Sequence, residues 1–306
     1  MSRPLRDLVG YGASPPHPRW PGGARLALNI VMNYEEGSEY DFHTDGKSEK
    51  VLSEVPGGYT GLKRRDLAIE SIYEYGSRVG FWRLMRLFSK YGVPITVTGC
   101  AQALELNPAA ARAIVEAGHD ICCHGWRWVY HSELGEAEER DHIARAVESL
   151  RTLTGVRPEG WYCRYAPSEN TRRLVVEEGG FLYDSDAYND DLPYWVEVGD
   201  KPHLVIPYNL DLNDGKFATA PGYGSGEDFL TTLIESFDAL YEEGAEAPKM
   251  MTVGLHMRIV GRAGRTFALR RFLDHVLKHD KVWLCRRIDI AKHWHAHHRP
   301  TPAAPR

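Results

Sequence analysis

The chain lacks any apolar run near the roughly 18 residues needed to cross a bilayer, so no membrane-spanning helix is expected. It also lacks an excess of positive charge. There are 37 Lys and Arg against 42 Asp and Glu, a formal net charge of −5 with His neutral. Neither nucleic-acid phosphate nor an anionic lipid surface is attracted to that balance, so both partners are set aside. Met1 to Pro21 has no apolar core and no small-residue cleavage site, which points to a cytoplasmic chain. Cysteine is scarce and odd in number: Cys100, Cys122, Cys123, Cys163 and Cys285. That pattern reads as free thiols in a reducing compartment and not as a disulfide framework. No internal repeat is visible.

What is present is ordinary in bulk: 43% hydrophobic and 26% charged residues over 306 positions, enough to bury a sizeable core. The length suits two small domains or one α/β barrel. Residues 1–24 read as an extended arm, 25–298 as a single barrel domain with a long insertion at about 38–78, and 299–306 as a tail. Compact apolar runs predict strands at 25–33, 95–98, 121–123, 160–163, 182–184, 203–207, 250–255 and 282–285. Helical spacing predicts helices at 81–90, 107–117, 136–153, 170–178, 227–243, 266–278 and 289–297. The insertion shows no sustained helical period and reads as a functional loop. The His293–His298 tract reads as a solvated helix end. Strands alternating with helices imply parallel pairing, and about seven or eight such units favour a (β/α) barrel over an open sheet.

In such a barrel the residues at strand C-termini face one pocket. Here they are Glu35 and Glu36, His124, Arg164, Asp184 or Asp186, and His256. Adjacent carboxylates in an apolar setting can gain a proton affinity suited to base chemistry near neutrality. A guanidinium at a strand end can orient a carboxylate or bind a developing oxyanion. A histidine there can donate a proton to a leaving group.

Taken in order, Asn33-Tyr34-Glu35-Glu36-Gly37, His124-Gly125-Trp126-Arg127-Trp128, Arg164-Tyr165-Ala166-Pro167, Tyr183-Asp184-Ser185-Asp186 and Leu255-His256 resemble the motifs of the polysaccharide deacetylase superfamily, carbohydrate esterase family 4. The resemblance spans roughly residues 20–295 and implies a distorted (β/α)7 barrel. It also implies a base and a metal ligand at the first motif, two metal-binding histidines in the second, an Arg in the third and a general-acid histidine in the last. Two positions depart from that pattern. The acidic pair is Glu35-Glu36, with longer side chains than the usual Asp pair. The second metal histidine is Trp128, whose indole offers a metal no lone pair. Glu36 and His124 remain, one short of the three protein ligands a catalytic zinc usually takes.

These departures, the long insertion and the run Tyr73 to Gly80 make the chain most similar to the cofactor-independent allantoinase branch. That resemblance implies hydrolysis of the hydantoin ring of (S)-allantoin to allantoate, in purine catabolism, by a cytoplasmic homotetramer without a metal cofactor. The expected catalytic set is Glu35 or Glu36 as base, His124 as a hydrogen-bonding group, Arg164 on the oxyanion, Asp184 as an orienting acid and His256 as general acid. Trp126, Trp128, Tyr165 and Arg258 are read as contacts to the substrate, a small cyclic ureide. Two alternatives stay open: a metal-dependent cyclic imidase or polysaccharide/peptidoglycan deacetylase, with one zinc held by Glu36, His124 and a third ligand; and a non-catalytic barrel that binds a ureide or carbohydrate.

Overall fold

The computed structural model describes residues 6–52, 54 and 64–300. Its centre is β1 (Leu26–Tyr34), a nine-residue run buried at every position. Burial on both faces is what a parallel strand between two layers requires. One edge of β1 pairs with β8 (Lys249–His256) along its length. The other edge is shared: β9 (Val282–Cys285) lies beside Leu26–Asn29, and β2 (Thr96–Gly99) beside Val31–Tyr34. From β2 the sheet continues through β3 (Asp120–Cys123), β4 (Gly160–Trp161), β5 (Tyr183–Asp184) and β7 (Lys201–Val205) to β6 (Tyr194–Val198). All pairs are parallel except β6–β7, which is an antiparallel hairpin. The sheet curls into a distorted (β/α) barrel, as expected.

The barrel's irregularity is localised. No ladder joins β7 to β8 among the described residues. The chain leading to Asn213 spans the gap, with a single bridge to Gly254 and a 3.2 Å bond from Gly254 N to the Leu212 carbonyl. Interior space at that level is filled by the buried side chain of Arg287. Its guanidinium donates to Asn29, Thr252, Ser185 and the Ile206 and Pro207 carbonyls.

Helices cover the outside: α1 (Phe42–Asp45), α2 (Leu67–Tyr75), α3 (Phe81–Tyr91), α4 (Ala101–Leu106), α5 (Pro108–Glu116), α6 (Glu136–Thr154), α7 (Thr171–Glu178), α8 (Gly226–Glu243), α9 (Ala263–Val276) and α10 (Arg287–His297). Local chemistry sets several of their ends. Asn107 caps α5 through its side chain with Pro108 in the first turn, and Ser225 and Asp228 form a reciprocal capping box on α8. Of these helices, none is long and apolar enough to cross a membrane.

The structure corrects the sequence reading in three places. The insertion is not a bare loop: it carries α1, α2 and a wide π-helical turn at Gly76–Gly80 running into α3, while residues 53 and 55–63 lie outside the described residues. The β6 hairpin was not expected: Tyr194-Trp195-Val196 is a short run broken by Glu197, and the strand is largely half-exposed. The C-terminal histidines do not form a solvated end. Trp294 is buried against Trp20, and His293 and His298 both reach the Pro18 carbonyl, tying α10 to the N-terminal arm.

Candidate active site

Strand register assembles the site. Tyr34, Gly99, Cys123 and Trp161 stand in line across β1 to β4, and Asn33 stands beside His256 of β8. The next residue or two past each end therefore share one rim: Glu35 and Glu36 after β1, His124 after β3, Tyr162 to Arg164 after β4. A backbone bond from Trp128 N to the Ser38 carbonyl ties the Glu35-Glu36 turn to the His124–Trp128 loop, and Ser38 in turn bonds the Glu35 carbonyl.

The pocket on this rim has a volume of about 280 Å³. Glu35, His124, Trp128, Arg164 and His256 line it, with Val51 and Leu52 of the insertion, Tyr165 at the mouth, and Lys216 and Thr219 opposite. A larger, shallower groove of about 550 Å³ beside Glu54, Arg262 and Arg265 gathers no comparable set of converging groups.

One carboxylate oxygen is the focus. Glu35 Oε1 lies 3.5 Å from His124 Nε2 and 3.5 Å from His256 Nε2. Glu35 Oε2 receives Arg258 NH2 at 2.7 Å. Glu36 turns away from the pocket. Its Oε1 accepts from Arg258 NH1 at 3.3 Å, and its Oε2 accepts from the Glu35 backbone N–H at 3.1 Å. Burial pushes both carboxyls up. At Glu35 that push is outweighed by Arg258 and His256, which hold it well below the ordinary carboxyl range. At Glu36 burial, with the neighbouring Glu35 charge, wins over Arg258 and the group stays raised.

The two histidines have different partners at Nδ1. His124 Nδ1 donates to the Tyr162 carbonyl, an oxygen that can only accept. In the neutral tautomer that this bond selects, Nε2 carries the lone pair. His256 is held twice by Asp214: through Nδ1 to Oδ1 at 2.6 Å and through its backbone N–H to Oδ2 at 2.8 Å. Burial alone depresses the His256 pKa, but the Glu35 and Asp214 charges overcome it and raise it to about 9. At neutral pH His256 is thus an imidazolium directed at Glu35.

Arg164 lines the pocket, yet its terminal nitrogens are engaged. They bind Glu49 at 2.7 and 3.2 Å, the Trp128 carbonyl at 3.0 Å and the Tyr130 hydroxyl at 3.0 Å. Its Nε is buried without a protein hydrogen-bond partner. Among the described residues it is the one Arg164 guanidinium nitrogen without a protein acceptor.

Several residues stand elsewhere than expected. Asp184 does not reach the pocket; it pairs with Arg172 at 2.7 Å and His203 at 3.1 Å. Asp186 accepts from Trp161 and the Cys163 backbone. Trp126 packs under Arg145 on the far side of its loop, so only Trp128 walls the pocket. Arg258 is buried behind the acidic pair and does not line the pocket. The orienting acid is Asp214, which sequence reasoning missed because it follows no apolar run; its one local signal is the turn sequence Asn213-Asp214-Gly215. Glu49 was also missed, inside the insertion.

The residues present do not fit a divalent metal. Of the three positions the family resemblance assigns to ligands, Glu36 has both oxygens engaged and Trp128 has no donor atom. His124 offers only Nε2. His131, three residues further, is bound to Glu139 at 3.0 Å and lies off the pocket. Among the described residues, the group with metal-ligand spacing is Asp238, His275 and His279 on α8 and at the end of α9, on the outer surface.

The curled barrel with this rim is the fold of the polysaccharide deacetylases, whose family model matches residues 63–183. A Schizosaccharomyces pombe protein described as a polysaccharide deacetylase is 40% identical over 96% of this chain and 98% of its own length. The chain belongs to the polysaccharide deacetylase family, and its scaffold is that of a deacetylase-family hydrolase. Among solved structures, a Pseudomonas aeruginosa PAO1 protein described as a probable polysaccharide deacetylase is 53% identical, with a TM-score of 0.93 over 96% of this chain and 98% of that one. The allantoinase PuuE is 51% identical, with a TM-score of 0.95 over 98% of this chain and 100% of that one.

Proposed function

We propose that this chain is an allantoinase-type hydrolase that opens the ring of a small cyclic ureide, (S)-allantoin, to allantoate, without a metal. The observation that carries this reading is the closed acid–base set around Glu35 Oε1, with Trp128 in the third ligand's place. The likeness to PuuE supports the substrate. So does pocket size: about 280 Å³ lies just below the roughly 300–1,000 Å³ typical of pockets for drug-sized ligands. That suits one flat heterocycle.

In this reading a water donates its protons to Glu35 Oε1 and His124 Nε2, which turns a lone pair toward the ring carbonyl. Glu35, the carboxylate that faces the pocket, takes the proton as the water attacks. The tetrahedral oxyanion is received by Arg164 Nε. His256 delivers its Nε2 proton to the departing ring nitrogen, and Asp214 stabilises the imidazolium until then. Trp128 and Tyr165 flank the ring. Lys216 extends toward the polar substituent. The same reading makes the protein a cytoplasmic homo-oligomer, a tetramer by resemblance.

The test is a hydrolysis screen of allantoin, dihydropyrimidines, cyclic imides and chitooligosaccharides, each with and without chelator. Allantoin turnover that survives chelation is expected. Deacetylation abolished by chelator moves the metal-dependent alternative to first place, and binding without turnover of any member favours a non-catalytic barrel.

A further inference from the structure

We propose that the Arg258 guanidinium is a built-in cation in the metal's place: it supplies the fixed positive charge of the site and, together with Trp128, keeps a metal out. Its catalytic half rests on the metal-free hydrolysis proposed above; its metal-exclusion half does not.

Two of the three positions that the family resemblance assigns to ligands lie against this guanidinium. Glu36 Oε1 is 3.3 Å from Arg258 NH1, and Arg258 Cζ is 5.3 Å from the centre of the Trp128 ring. All three nitrogens are used: Nε on the Leu52 carbonyl at 3.1 Å, NH1 on Glu36, NH2 on Glu35. The Tyr73 ring centre lies 4.2 Å from Arg258 Cζ. The cation is fully buried and donates to both carboxylates from separate nitrogens, which a fork of donors provides and a lysine ammonium does not.

Two adjacent buried carboxylates repel each other unless a cation lies between them or one is protonated. A divalent ion would do this by binding Glu36. Arg258 does it by bridging Glu36 and Glu35, so the same charge that quiets the pair also holds Glu35 ionised and aimed at His124 and His256. Arg258 is therefore a positioning residue: it touches the base, not the substrate. Trp128 completes the exchange, because an indole fills the ligand's place and packs beside the guanidinium.

The experiment compares wild type with Trp128→His, Arg258→Met, Arg258→Lys and the Trp128→His/Arg258→Met double variant. Cobalt uptake per folded chain and allantoin hydrolysis against pH are measured on each. Trp128→His/Arg258→Gln serves if the Met double variant fails to fold. Any uptake at Asp238, His275 and His279 is common to all of them, so the readout is the difference from wild type. The double variant gains about one equivalent with tetrahedral cobalt absorbance, and neither single variant does. Arg258→Met loses on the order of 10²–10³ in turnover, as for removal of an electrostatic donor, and its acidic limb moves to higher pH. Arg258→Lys retains at least tenfold more activity than Arg258→Met.

Uptake by Trp128→His alone equal to that of the double variant, or none by a folded double variant, overturns metal exclusion. Equal loss in the Lys and Met variants overturns the charge role. If wild type hydrolyses no cyclic ureide, the proposed function fails by itself, and cobalt uptake still judges metal exclusion.

Discussion

Asp214 touches His256 through both carboxylate oxygens, so it sets the tautomer, orientation and charge of the proposed acid together. Asp214→Asn should therefore lower kcat by about 10²–10⁴-fold with little change in KM. The alkaline limb of the wild-type profile should fall as pH rises through about 9, where His256 loses its proton, and in Asp214→Asn that limb should move to lower pH. The same shift has a stability consequence. A histidine whose folded pKa is raised contributes stability that is complete below its ordinary value of 6.5 and disappears as pH climbs through about 9. Glu35, depressed in the fold, behaves in the opposite sense: its contribution is present above the ordinary carboxyl range and is lost as pH falls toward its lowered value. Urea midpoints from pH 4 to 10 should thus fall at both ends, and Asp214→Asn should flatten the alkaline decline. The acidic pair can be separated as well. Glu35→Gln removes the carboxylate that faces the pocket and should abolish turnover. Glu36→Gln keeps one acceptor oxygen, for Arg258 or for the Glu35 N–H but not both, yet leaves Glu35 in the pocket, and should lower activity without abolishing it.

At the scale of elements, the turn joining α2 to α3 supports the site from behind. Gly76 and Gly80 both have ordinary right-handed helical backbone, so alanine would suit either conformation and gain helix propensity. Their requirement is space. A Cβ on Gly76 would lie 2.2 Å from Glu36 Oε1, and one on Gly80 would lie 2.0 Å from the Met257 carbonyl, between His256 and Arg258. Gly76→Ala should cost roughly 1–3 kcal/mol as overpacking, and activity on the order of 10²-fold through displacement of the acidic pair. Thermal melts and kcat/KM check it; a more stable, fully active variant would show that helix propensity decides there. The run Tyr73–Gly80 was visible in the sequence as a family resemblance, but its packing role was not, because it depends on what the other face of the helix meets. Parallel strands were legible because burial on both faces writes mostly apolar runs such as Leu26–Tyr34, broken there only by Asn29 and Asn33. β7 was legible in the same way at 203–207, whereas its partner β6, half-exposed at the sheet edge, offers only the short run Tyr194-Trp195-Val196. Glu35, His124, Arg164 and His256 were legible by the same logic, each following a run. Asp184 follows one too, yet Arg172 and His203 draw it away from the pocket; strand ends mark a rim without saying which way each side chain turns.

The whole barrel depends on a charge deep inside it. Where β7 and β8 fail to pair, Arg287 reaches in from the first turn of α10 and ties together β1, β8, the end of β5 and the Ile206-Pro207 segment. No carboxylate is among these partners; the guanidinium is satisfied by neutral acceptors from four stretches of chain that are far apart in sequence. Such an arrangement acts as a cross-link: it closes the interior only when all the strands are already in place. Arg287→Met would fill much of the volume but leave several buried acceptors unmet, each at about 1–3 kcal/mol, so a net loss of about 3–5 kcal/mol in urea unfolding is expected. Arg287→Lys keeps the charge with three donors in place of five, and should fall between the two. The pocket groups do not contact Arg287, so both variants should hydrolyse substrate with near wild-type KM well below their melting temperatures. A KM rise at low temperature without loss of stability would instead mean that the unpaired β7–β8 gap transmits strain directly to Asn213, Asp214 and the acid they hold.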